Sequence, residues 1–119
     1  MEGEVRETVQ YAEELSDELD VWLDSHYTQA DMNQAAHERY RIWDDLLNSL
    51  WRMLLDVLPK DTMDPLTREQ LSWIAEKEIV IAEAGAQVAD GSVYPAVVNG
   101  TAARLTRDRV YELLEYLPK

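Results

Sequence analysis

The 119-residue sequence has no cysteine, so disulfides, thiolate metal sites and thiol nucleophiles are excluded. Basic residues are scarce, 11 against 24 acids, for a formal net charge of −13. That balance argues against nucleic acid or an anionic membrane surface as a partner, because phosphate binding draws its affinity from clustered Lys and Arg. No apolar run approaches the roughly 18 residues of a membrane span. No segment alternates strictly between apolar and polar, and the Val-rich stretch at 93–98 is broken by Pro95, so strands are not expected. The start Met1-Glu2-Gly3-Glu4 is acidic where a secretory signal would be basic and then apolar, which leaves a cytosolic protein or a mature segment after leader removal.

What is present is helical periodicity around enough apolar residues, 46% of the chain, for one core. Val5, Val9, Ala12, Leu15, Leu19, Trp22 and Leu23 recur at three and four residues, predicting a first helix over about 4–24. Residues 1–24 hold nine acids and one base, Arg6, so this fifth of the chain carries −8 of the −13. A solvated helix face is the plain reading, and a basic partner protein the functional one. Thr28-Gln29-Ala30-Asp31 reads as a capping box opening a long central helix with Met32, Ala36, Tyr40, Trp43, Leu47, Leu50, Trp51, Leu54 and Leu58 on one face. Pro59 stops it. Asp64-Pro65 reads as the cap and first position of a third helix whose inner face carries Leu66, Gln70, Trp73, Ile74, Lys77, Ile81 and Ala84. Gly85 to Pro95 is predicted as a loop, and Val97, Val98, Ala102, Leu105, Arg109, Leu113 and Leu117 mark a last helix. The fold class is therefore all-α, a small four-helix bundle-like domain with a long central helix, in which the acidic helix 1–24 and residues 25–119 form one globular unit.

Candidate chemistry is sparse. The only histidines, His26 and His37, sit in neither a His-Glu-x-x-His nor a Glu-x-x-His pattern, so no metal or other cofactor is expected. The serines lack a nucleophile elbow and the four glycines form no phosphate loop, so no catalytic residue can be named and the chain is read as a non-enzyme. Asn99-Gly100-Thr101 matches a glycosylation sequon of high chance frequency. Trp22, Trp43, Trp51 and Trp73 all fall on apolar stripes and are expected as core anchors. Polar residues on those stripes must find partners, so Asp44 or Asn48 is expected to meet Gln70 or Lys77 across a helix interface, with Arg109 posing the same demand.

Four pieces in order, Thr28-Gln29-x-x-Met32-Asn33, Asp44-x-x-Leu47-Asn48-x-x-Trp51, Gln70-x-x-Trp73-x-x-x-Lys77-Glu78 and Leu105-Thr106-x-x-Arg109, resemble the LprI-type lysozyme-inhibitor-like family over about 27–117. Trp51 replaces the family's usual Tyr, and Lys77-Glu78 its Arg-Asp. Cysteines common in the family near Ala35, Ile81 and Thr101 are absent, which makes this a cysteine-free variant. The resemblance implies a small helical, mostly exported or lipid-anchored bacterial domain, extracytoplasmic, with any anchor outside this chain. It also implies a partner such as a basic lysozyme, for which Asp90, Ser92 and Tyr94 in the 85–95 loop are the candidate contacts. The alternative is a structural or assembly module of the cell envelope without inhibitory activity, associating through residues 1–24.

Overall fold

The computed structural model describes residues 1–119 as four helices and no strand: α1 (Glu2–Leu23), α2 (Gln29–Val57), α3 (Lys60–Ala86) and α4 (Tyr94–Leu114). No helix is long and apolar enough to cross a membrane. α2 opens on the expected box: the Asp31 amide donates to Thr28 Oγ1 at 3.1 Å, and the Thr28 amide to Asp31 Oδ2 at 3.3 Å. It ends one residue before the cap at Leu58, where Pro59 follows.

The start of α3 differs from the expectation. The helix begins at Lys60 with Pro59 as its cap, and Pro65 lies inside it. The Pro59 carbonyl accepts from the amides of Thr62 and Met63, both at 3.0 Å, so the turn closes ahead of Asp64. Lys60 then pairs with Asp64 at 2.7 Å across it. Pro65 is the sixth residue of the helix, past the amides that lack intrahelical partners, so it removes the bond that an amide there would give the Asp61 carbonyl and crowds that carbonyl.

Interhelical bonds set the directions. Ser16 bonds Trp43 and Asp20 pairs with Arg39, so α1 runs antiparallel to α2. Arg109 bonds Gln70, and Tyr94 lies against Gly85, so α3 runs antiparallel to α4. Asn33 reaches the start of α4, which makes α2 and α4 parallel. These two form the most extensive contact, α1 covers α2, and α3 flanks α4. The layer is thin, with Cα extents of 47 × 29 × 15 Å. Its long edge agrees with α2, whose 29 residues rise about 43 Å.

The core joins Val5, Val9 and Ala12 of α1, Trp43, Leu47, Leu50 and Leu54 of α2, Met63 and Leu66 of α3, and Val110, Leu113, Leu114 and Leu117 from the last helix and its end. Burying a Leu- or Val-sized side chain is worth about 1.5–3 kcal/mol, which makes this cluster the main source of stability. Of the four tryptophans only Trp43 is fully buried, its Nε1 donating to Ser16 Oγ at 3.1 Å. Trp51 and Trp73 pack partly against the core, whereas Trp22, expected as a core anchor, is half-buried outside it and stacks on His26 with ring centres 4.3 Å apart. α3 is the least embedded helix: between Gln70 and Gly85 none of its residues is buried, and Ile74, expected on the inner face, is exposed beside Leu71, Ile79 and Val80. Only α4 makes an extensive contact with it, so most of the outer half of α3 stays uncovered.

Candidate functional site

Two regions hold the residues singled out by sequence, and a third emerges only from the packing of α1 on α2. The first is the turn between α3 and α4. Asp90 and Ser92 are exposed there, and Tyr94 opens α4 with Pro95 behind it. The segment does not project as a free loop, because Asn33 of α2 grips it. Asn33 Nδ2 donates to the Ser92 carbonyl at 3.1 Å, while Oδ1 accepts from the Ala96 amide at 3.1 Å and from Gln29 Nε2 at 2.9 Å. Val93, at the cap position of α4, has no side-chain oxygen, so Asn33 caps that helix from 63 residues away. Tyr94 faces inward on one edge: a Cβ at Gly85 would lie 2.9 Å from its Cε2 and 3.1 Å from Val98 Cγ2. Gly85, expected at the mouth of a loop, is in fact buried in the last turn of α3, where the absent side chain lets α4 approach.

The second region is the polar cluster. Arg109 is 2% exposed; its Nε donates to Gln70 Oε1 at 2.7 Å and its Nη1 to Glu69 at 2.8 Å and Glu112 at 3.2 Å. Its guanidinium carbon lies 5.9 Å from the Trp73 ring centre. Lys77 is not hydrogen-bonded to that group; its Nζ sits 5.1 Å from the Trp73 ring and 5.8 Å from the Tyr40 ring. The expected pairing from α2 does not form: Asn48 is exposed, Asp44 is half-buried, and neither bonds Gln70 or Lys77. Gln70 is instead taken by Arg109, and Glu69 and Glu112, missed in the sequence, complete the charge balance from the helix margins. Thr106 Oγ1 and Arg109 Nη2 are buried without a partner. The cluster joins α3 to α4, with Glu69 and Gln70 on one helix and Arg109 and Glu112 on the other.

The third region is a concavity the sequence did not suggest. α1 buries Val5, Val9, Ala12 and Ser16, and its half-buried Leu15, Leu19 and Trp22 face sideways toward α2. Between them and Ala35, Ile42 and Leu46 run two adjoining cavities of about 540 and 310 Å³ that share Leu15, Arg41 and Ile42. Glu18 stands on one rim, Glu38 and Asp45 on the other. Arg41 lies between the latter two, bonded to Glu38 at 2.8 Å and to Asp45 at 3.4 Å.

Three carboxylates are held below their ordinary range by arginines. The bond from Arg41 lowers the Glu38 carboxyl, the bond from Arg6 lowers Glu2, and the bond from Arg107 lowers Glu13, to which Tyr111 adds its hydroxyl. Burial, and then the bond to Glu13, raises Tyr111. On α1, Glu4, Glu7, Glu14, Asp17 and Glu18 are exposed and outside the ion pairs formed by Glu2, Glu13 and Asp20. No group of three or more His, Asp or Glu side chains is placed to hold a metal ion.

A family model described as lysozyme inhibitor LprI matches residues 23–113. An uncharacterized protein of Rhizobium meliloti (strain 1021) is 29% identical over 103 residues, which cover 76% of this chain and 74% of the relative. No solved structure matches.

Proposed function

The chain belongs to the lysozyme inhibitor LprI family, and on that premise we propose that it is a non-enzymatic protein of the cell envelope or exterior that docks a basic cell-wall hydrolase of the lysozyme type. The observation that carries this reading is the unpaired acidic face of α1 on a chain of net charge −13. A cationic enzyme meeting such a field associates faster, and more so at low salt, while the affinity comes from a desolvated centre. Asp90, Ser92 and Tyr94, exposed beside the start of α2, are the loop contacts of this reading, Tyr94 resting one ring edge on Gly85. Titration against hen-type lysozyme with an activity assay tests it. Inhibition that weakens as salt rises is expected, and no inhibition at tenfold molar excess in low salt overturns it.

A second reading, an assembly module of the envelope, is favoured by Leu71 and Ile74, apolar side chains exposed one turn apart on α3. It expects a concentration-dependent oligomer in size measurements, and a strict monomer counts against it.

A further inference from the structure

We infer that the groove between α1 and α2 is the centre of the docking surface and that its occupant is an amphipathic helix of the basic partner, apolar along one face and flanked by Lys or Arg. This rests on the binding reading above. Shape supports a helix: the two cavities run from Thr8 to Trp22 along α1, about 21 Å of a straight trough between antiparallel helices, the length of four turns. A third helix laid there meets the ridges of two others, the ordinary way in which a helix buries an apolar stripe. The floor is apolar, with Leu15, Leu19, Trp22 and Ile42 half-buried, so the free protein keeps them only partly withdrawn from water.

Charge chooses the occupant. The rims present three carboxylates, Glu18, Glu38 and Asp45, against one guanidinium, and that guanidinium, Arg41, is intramolecular and 55% exposed. Arg41 already occupies the position an incoming cation would take between Glu38 and Asp45. An acidic helix would meet the rims with like charge, and an uncharged one would leave Glu18 without a partner, since Arg41 holds only Glu38 and Asp45. A basic helix displaces Arg41 outward and bonds both rims. Arg41 thus acts as a resident competitor, and removing it tightens binding.

The probe is hen-type lysozyme, titrated by calorimetry at low salt against the full chain and three variants. Glu18→Lys, at an exposed carboxylate with no ion pair to lose, is expected to weaken binding about tenfold, and Arg41→Gln to tighten it about threefold. Glu83→Lys, the same charge change on exposed α3, stays within about twofold of the wild type. Methyl resonances of Leu15, Leu19 and Ile42 shift on titration, and those of Leu71 and Ile79 do not. If the wild type binds and Glu18→Lys and Glu83→Lys weaken it equally, the attraction is diffuse and the groove assignment is overturned while the binding reading stands. If Arg41→Gln weakens binding, Arg41 is a contact and the basic occupant is wrong. If the wild type does not bind, both fall.

Discussion

Arg109 carries its charge at 2% exposure, and the only anions on it, Glu69 and Glu112, are 52% and 58% exposed. Glu69→Gln removes one anion, yet the amide can still accept from Nη1 and Glu112 remains. Loss of one water-exposed pair is worth about 0.5–1 kcal/mol, and Glu112→Gln is expected to cost the same. The double substitution differs in kind, because it leaves a buried cation facing only neutral acceptors. Removing the partner of a buried charge costs about 3–5 kcal/mol. Here the retained amide bonds and the solvent near Nη1 reduce that to about 2–3 kcal/mol, still more than the two single losses together. Urea unfolding followed by circular dichroism at pH 7, on the wild type, both singles and the double, closes the cycle. A double loss no larger than the sum of the two singles, about 1–2 kcal/mol, would refute the reasoning, since it would mean that water and not the carboxylates neutralises the guanidinium. Arg109→Met serves as the companion: replacing a buried ion by a similar apolar volume is often nearly neutral, so it should cost less than the double.

Other perturbations read other contacts. Asn33→Ala removes the distant cap of α4 and the grip on Ser92 and should lower stability by about 1–2 kcal/mol, whereas Asn33→Asp, which still accepts from the Ala96 amide, should cost less; thermal melts compare them. Gly85→Ala offers about 1 kcal/mol of helix propensity but collides with Tyr94 and Val98, so a net loss is expected that shrinks toward zero in a Tyr94→Ala background. Glu13 is held below the ordinary carboxylate range by Arg107, so its contribution is present above its unfolded value near 4.5 and lost as pH falls through the lower folded value. Glu13→Gln should therefore be less stable than the wild type by about 1 kcal/mol at pH 7, with the gap closing below about pH 4.5 in paired denaturation curves.

Much of the fold could be read residue by residue. The period of Val5, Val9 and Ala12, the box at Thr28 and Asp31, and the stop at Pro59 are interactions within a turn or two of the chain, so the side chains that make them are also neighbours in the sequence. Where a local signal failed, at Asp64-Pro65, two caps competed, and the carbonyl of Pro59 closed the turn first. The polar cluster was half legible. Gln70 and Arg109 could be seen to need partners, but which helix supplied them could not, and Asn48 was assigned to an interface that α4, not α2, makes with α3. Asn33 had a weak signal, a poor helix former inside a helix, without any indication of the amide it would cap.

Sequence alone determined that this chain is helical, acidic and kin to a known family, because helix period, charge and motif order are properties of consecutive residues. Only the tertiary structure decided that α2 and α4 lie parallel with α3 outside them, and that α1 leaves an acidic-rimmed trough along α2. Helix pairing is settled by the summed burial of whole faces, and a trough is what remains between two faces once that sum is settled.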